Sequence, residues 1–204
     1  MPILYDNKVS RNGYKIRLLA AHAGLPLKRV EIDIYKGESH TPDFAAMNVA
    51  ECIPVLTLDD GTNLAESNAI LYYLAQGTAL WPDALLDQTD VLRWTYFEQN
   101  SIECTVGTAR NWKKRGRDKE RPDAFAHRLE ASAGGLKVLD THLTGRDWAA
   151  AQRFTIADIA LYGYVSVAPD AGLDLSIYPA VTEWLRRIEA LPGHIGPEIQ
   201  GEAA

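Results

Sequence analysis

The apolar positions of the first 76 residues change period several times. Ile3-Leu4-Tyr5 is a short apolar run and reads as a strand. A polar loop follows, and then Ile16, Leu18, Leu19 and Ala20 recur at helical spacing. They predict a helix over 13–23, stopped by Gly24 ahead of Pro26. Arg29-Val30-Glu31-Ile32-Asp33-Ile34 alternates with the period of a second strand. Residues 35–51 are irregular, with a short helix predicted over Pro42–Met47. Ile53-Pro54-Val55-Leu56-Thr57-Leu58 then forms the first arm of a hairpin, and Asp60-Gly61 is strong turn chemistry. Pro54 at the head of that strand removes one ladder donor and is a candidate for a cis bond. The second arm runs straight into an apolar-periodic helix over 66–76. Strand–helix–strand requires a parallel pair and the hairpin adds antiparallel strands, so the expected sheet is mixed.

The second half has a different pattern. Residues 77–83, with Leu80-Trp81-Pro82, read as a linker. Helical periods then fill the chain: one long candidate over 84–114, a basic loop up to Pro122, and helices over 123–143, 155–168 and 178–191. No strand pattern occurs there. The expected fold class is α/β plus all-α, with a four-stranded mixed sheet and then a helical bundle. The expected domains are 1–76 and 87–204 around a linker at 77–86. No internal repeat is visible, and the only compositionally simple stretch is the tail over 193–204.

Composition narrows the function classes. The chain has 204 residues, 47% of them hydrophobic, which suffices for buried cores. Its formal charge of −6 argues against nucleic acid as a general partner, because phosphate binding needs a basic footprint. No apolar run approaches the roughly 20 residues of a membrane span, and the N-terminus lacks the basic and apolar regions of a signal peptide. Cys52 and Cys104 lie far apart and form no CxxC motif, so a reduced, cytoplasmic protein without a structural metal is expected.

Two places could carry chemistry. The hairpin sets an extended backbone edge at Ile53-Pro54 beside a helix start at Glu66-Ser67. An edge can pair with a short peptide-like ligand, and a helix N-terminus can hold its carboxylate. The alternative is an ordinary hairpin followed by a capped helix. Ser10-Arg11-Asn12-Gly13-Tyr14-Lys15 lies at the start of the first helix, where the dipole favours negative charge. A thiolate placed there gains hydrogen bonds and a favourable field, which lowers a thiol pKa from about 8.5 toward 6 to 7. A hundredfold gain in thiol acidity corresponds to roughly 2.7 kcal/mol. The alternative is that Ser10 or Asn12 only caps the helix.

Two further motifs read as structural. Thr155-Ile156-Ala157-Asp158 is a capping-box variant flanked by a Phe154/Ile159 staple, so Asp158 is assigned to folding rather than catalysis. The seven basic residues from Arg110 to Arg121 read either as a solvated helix end or as a lip attracting an anionic substrate.

Together these segments resemble the cytosolic glutathione transferase family over nearly the whole chain. Ile53-Pro54-Val55-Leu56 resembles its cis-proline strand. Glu66-Ser67-Asn68-Ala69-Ile70-Leu71-Tyr72-Tyr73-Leu74 resembles its glutathione-binding helix, and Phe154-Thr155-Ile156-Ala157-Asp158-Ile159-Ala160 its helical-domain capping motif. The loop Ser10-x-Asn12-Gly13-x-Lys15 is similar to the bacterial nu-type pattern. The resemblance implies a thioredoxin-like domain, a helical domain, a homodimer, and glutathione as co-substrate. It implies that the backbone of Ile53 ahead of Pro54 pairs with the cysteinyl unit. Ser67 would take the γ-glutamyl carboxylate and Glu66 the γ-glutamyl amine, while Ser10 and Asn12 stabilise the thiolate. Tyr5 takes the place of the mammalian types' tyrosine, but its context is similar to a structural tyrosine. The second-substrate pocket would draw on Tyr96, Asn100, Cys104, Arg110 and Trp112, and the electrophile would be apolar or anionic.

One departure stands out. Where the family carries Gly then Gln or Lys ahead of the Val/Ile-Pro pair, this chain has Glu51-Cys52. The glycyl carboxylate then needs another partner, for which His40 and Lys36 are the candidates. Cys52 itself reads as a small buried apolar residue, or else as a thiol able to form a mixed disulfide. The functions implied are glutathione transfer to an electrophile, glutathione-dependent disulfide reduction, or a non-catalytic binding module of the same fold.

Overall fold

In a computed structural model that describes residues 1–197, the chain forms two compact units. One comprises Met1–Ala79 and the segment from Pro192, the other Leu80–Leu191.

The first unit is built on strands β1 (Ile3–Asp6), β2 (Lys28–Glu31), β3 (Val55–Thr57) and β4 (Asn63–Ala65), in the order β2-β1-β3-β4. β1 runs parallel to β2 and antiparallel to β3, and β3 is antiparallel to β4. This is the mixed sheet expected from the order of periods. Helix α1 (Arg11–Ala23) crosses from β1 to β2. Ser10 caps its start, and Gly24 ends it at φ 64°. Leu25 N–H to Ala20 O and Gly24 N–H to Ala21 O close the two bonds of a Schellman stop. The short α2 (Pro42–Met47) has Thr41 as its cap, and α3 (Ser67–Ala75) follows β4 directly. Helices α1 and α3 pack on one another, and Leu4, Leu56, Ile16, Leu19, Ile70 and Leu71 are fully buried.

The sequence pattern grouped the chain's last residues with the helical domain. Instead the segment from Pro192 lies on α1. Tyr14 donates its hydroxyl to Ile195 O at 2.6 Å, and the His22 Nδ1 lies 3.1 Å from Pro192 O. The tail expectation beyond residue 197 lies outside the described residues.

The second unit is all helical: α4 (Leu85–Phe97), α5 (Thr108–Lys114), α6 (Arg117–Glu120), α7 (Pro122–Leu143), α8 (Ile156–Val165), α9 (Ala168–Ala171) and α10 (Pro179–Glu189). The long helix expected over 84–114 is continuous, but its middle, Glu98–Gly107, is a π-helix. Gly135 of α7 is one cause of close packing there, since a Cβ would come within 2.5 Å of Ser101 O. The stretch expected as a basic loop contains α6. Helix α8 is the centre of the unit, with nearly every residue buried. Its capping box forms as the spacing predicts. Asp158 accepts from Ala149 N and Trp184 Nε1 on one oxygen, and from the Thr155 N–H and hydroxyl on the other. No helix among the described residues is long and apolar enough to cross a membrane.

Candidate functional site

Ser10 accepts the Gly13 N–H at 3.1 Å, so it does cap α1. A hydroxyl that accepts one bond still has its own proton to donate. Capping the helix and donating to a thiolate are therefore compatible roles. Asn12 sits in the first turn of the same helix, and its Oδ1 accepts the Ser67 hydroxyl at 3.2 Å. That bond joins the first turn of α1 to the start of α3, two segments 55 residues apart.

Beneath the loop lies a group that the sequence pattern did not single out. Asp6 closes β1 and is fully buried. Its Oδ1 accepts the Asn7 N–H at 2.6 Å. Arg17 Nε stands 3.1 Å from Oδ2, a charge contact without hydrogen-bond alignment. Burial pushes the Asp6 carboxyl up to about 6, against the pull of Arg17 and the Asn7 bond. Gly13 leaves room for this carboxylate, since a Cβ there would fall 1.6 Å from Asp6 Oδ1. The available signal was a carboxylate continuing an apolar strand, with a glycine in the following helix.

The other wall is the hairpin edge. The Ile53-Pro54 bond is cis. Ile53 lies outside the β3 ladder, and among the described residues neither of its backbone groups finds a hydrogen-bond partner in the chain. An unpaired N–H and C=O beside an ordered strand is a site for one added extended segment. Across β4 the chain enters α3 through Glu66, whose φ of 69° is unusual for a side-chain-bearing residue. Glu66 makes no side-chain bond to its own helix and is exposed. Its carboxylate is thus available to an ammonium group. Ser67 is only 4% exposed and stands at the helix N-terminus, where N–H groups and dipole favour a carboxylate.

The candidates for the glycyl end are already engaged. The His40 Nδ1 lies 2.5 Å from Glu51 Oε2, and Lys36 Nζ lies 3.4 Å from Asp33. Glu51 has φ 53° and bonds through its N–H to Asn48 O. Cys52, expected as a buried apolar residue, is exposed, and its thiol donates to Ala50 O at 3.1 Å. Its backbone is held in the turn between α2 and β3, where Asn48 Nδ2 donates to Cys52 O at 2.8 Å.

In the helical unit, Tyr96, Asn100 and Cys104 recur every four residues through the π-helical turn, and all three are exposed. Arg110 and Trp112 are engaged inside that unit instead. Arg110 Nε donates to Asp170 at 2.8 Å, and the Trp112 ring carries the Arg128 guanidinium at 4.5 Å. Of the basic cluster, these contacts occupy Arg110, while most of the rest is exposed, as a solvated helix end would be. A cleft of about 880 Å³, lined by Asp87, Asp90, His142 and residues 144–152, includes none of the expected site residues. Among the described residues no three His, Cys, Asp or Glu side chains gather as metal ligands.

A mixed four-stranded sheet with a cis-proline edge beside a helix N-terminus, followed in the same chain by an all-α unit, defines the two-domain thioredoxin-like architecture. Models of the glutathione S-transferase N-terminal and C-terminal domains match residues 2–76 and 101–192. The chain belongs to the glutathione S-transferase family. It is similar to a possible glutathione S-transferase from Rhodopseudomonas palustris, with 44% identity and a TM-score of 0.94 over 100% of this chain and 93% of that one. It is 28% identical to the disulfide-bond oxidoreductase YfcG of Escherichia coli K12, over 89% of this chain and 87% of that protein. A glutathione transferase from Pseudomonas putida, solved with one glutathione disulfide per subunit, is 25% identical with a TM-score of 0.85, over 94% and 88%.

Proposed function

We propose that this protein binds glutathione along Ile53-Pro54 and activates its thiol for attack on an electrophile. The observation that supports this best is the unpaired backbone of Ile53, set beside an uncapped helix start that carries Glu66 and Ser67. An extended cysteinyl unit pairs with Ile53 like an added strand. The backbone N–H groups of the α3 N-terminus, that of Ser67 among them, take the γ-glutamyl carboxylate, and Glu66 takes the ammonium. His40 and Lys36 would flank the glycyl end.

The thiol then points at the β1–α1 loop. The Ser10 hydroxyl donates to the sulfur, and the amide of Asn12 and the α1 N-terminus add to the field. The thiolate forms a bond to an electrophilic carbon, and the leaving group departs with the bonding pair. Catalysis comes from thiolate stabilisation and positioning. Tyr96, Asn100, Cys104, Arg110 and Trp112 are the residues proposed to meet the apolar or anionic second substrate. A cytoplasmic homodimer completes the proposal.

A second reading is favoured by the similarity to YfcG. Here the same thiolate attacks a disulfide sulfur, forms a new S–S bond and releases the other sulfur as a thiolate. Ultraviolet absorbance of bound thiolate against pH tests the common step. The thiol pKa should fall well below 8.5 in the wild type and return toward it in Ser10→Ala and Asn12→Ala. A wild-type value near 8.5 would remove both catalytic readings and leave a non-catalytic binding module. Turnover of a disulfide but not of an aryl halide would select the reductase.

A further inference from the structure

The glutathione cradle proposed above has an electrostatic asymmetry. One end, at Glu66 and Ser67, suits an amino-acid zwitterion, with a carboxylate beside an ammonium. The position of the other end follows from chain geometry. An extended chain rises about 3.3 Å per residue. A tripeptide held at the α3 N-terminus and paired at Ile53 therefore carries its far terminus back along the chain, to Glu51-Cys52 and the side chain bound to Glu51.

Around that point the charge is negative. Glu51 offers a carboxylate, and His40 is its immediate partner. The neighbouring loop carries Asp33 and Glu38 against the single cation Lys36. Lys36 is paired to Asp33, and Glu38 Oε2 accepts the Asp33 N–H at 2.7 Å. Both His40 and Lys36 are thus already matched to carboxylates, and three carboxylates, Asp33, Glu38 and Glu51, stand beside them. Cys52 adds a thiol, which has no cation to offer. A free glycyl carboxylate would meet repulsion here, or would have to displace Glu51 from His40. A tail without that charge meets neither cost, and a cationic tail gains an acidic partner.

We propose that this site prefers glutathione species whose glycyl carboxylate is masked as an ester or an amide, with Glu51 as the residue that sets the preference. The proposal rests on the glutathione reading of the Ile53-Pro54 edge. It assigns the specificity to the far end of the ligand and leaves the thiol chemistry unchanged.

The test is equilibrium binding of three probes to the full chain: glutathione, its glycyl monoethyl ester and its glycyl amide. The wild type should bind the ester and the amide about fivefold to tenfold more tightly than glutathione, the size of one partly screened like-charge contact. Glu51→Gln should tighten glutathione by a similar factor and leave the ester unchanged. His40→Gln, which releases Glu51 from its partner, should widen the wild-type preference, and this variant serves if Glu51→Gln does not fold. Wild-type binding of glutathione as tight as that of the ester, or tighter, would overturn the proposal while leaving the glutathione reading intact. Failure of all three probes to bind would overturn both.

Discussion

The hydroxyl of Ser67, at the start of α3, donates to the side-chain oxygen of Asn12, in the first turn of α1, at 3.2 Å. In the glutathione reading proposed above, this bond ties the segment that meets the ligand carboxylate to the side chain that meets its sulfur. Both residues lie in the first turn of their helices, so two helix N-termini meet at this bond. In that reading, fixing the distance between them presets the span that a γ-glutamyl-cysteinyl unit would have to fit.

Ser67→Ala should weaken glutathione binding about fivefold, through loss of the Asn12 hydrogen bond that holds the start of α3 in place. It should also raise the bound thiol pKa, although Ser67 faces the other end of the ligand. Asn12→Ala should do the same with the order of magnitudes reversed. A double-mutant cycle checks the coupling. Strict additivity in both binding and thiol pKa would show that the Ser67–Asn12 bond does not position the site.

Asp6 makes the loop sensitive to pH. Its carboxyl is raised from 3.8 to about 6, mainly by burial. Below about pH 4 it is protonated in the folded and the unfolded chain alike. Between about 4 and 6 the unfolded chain has lost the proton and the folded chain keeps it. The stabilisation from this group is therefore full at low pH and is lost as pH rises through about 6, at most about 3 kcal/mol. Urea unfolding of wild type against Asp6→Asn isolates it. The stability difference, wild type minus variant, should fall steadily from pH 4 to 7, and a flat difference would exclude the effect.

Gly13→Ala tests the same contact sterically. The added methyl would lie 1.6 Å from Asp6 Oδ1, so the loop or the helix must move. A loss of about 3 kcal/mol or more is expected, at the upper end of overpacking costs. Shortening the opposing side chain in the pair Gly13→Ala, Asp6→Ala should recover part of it. Thermal unfolding of the single and double variants reads this out, and an unchanged melting temperature in Gly13→Ala would contradict the packing.

Asp158 holds four donors from three segments, at Ala149, Thr155 and Trp184. Asp158→Asn keeps the size but turns one acceptor oxygen into a donor facing donors. A loss of about 2–4 kcal/mol is expected, from buried groups left without partners. The Trp184 indole should report it through an altered emission spectrum in the native state. Glutathione binding by whatever fraction folds should stay within about twofold, in keeping with a folding role.

Cys52 and Cys104 are both free and exposed. In the native protein a disulfide reagent should titrate two thiols per chain without denaturant. Cys52 should be the one protected by a ligand, because it stands two residues ahead of Pro54. Protection of neither thiol at saturating S-methylglutathione, which has no free thiol to consume the reagent, would argue against the ligand passing Glu51-Cys52.

The local elements were legible from residue chemistry alone. Ser10 and Gly24 bracket α1, Asp60-Gly61 turns the hairpin, and Thr155 with Asp158 starts α8, because caps and turns depend on residues three or four positions apart. The change from strand to helix periods after residue 76 likewise showed two architectures in one chain. The sequence also placed Ile53, Glu66 and Ser67 at one edge, since a hairpin brings its own ends together. What only the tertiary structure decided involves distant partners. The Ser67–Asn12 bond spans 55 residues, Asp6 is buried under Gly13 and beside Arg17, and the Pro192 segment returns to α1. The π-helical turn at Glu98–Gly107 and the exposure of Cys52 depend on packing and turn geometry that no local pattern encodes. Short-range hydrogen bonds are written in the order of residues. Burial, charge pairing and the exposure of a thiol are set by which surfaces meet after the chain has folded.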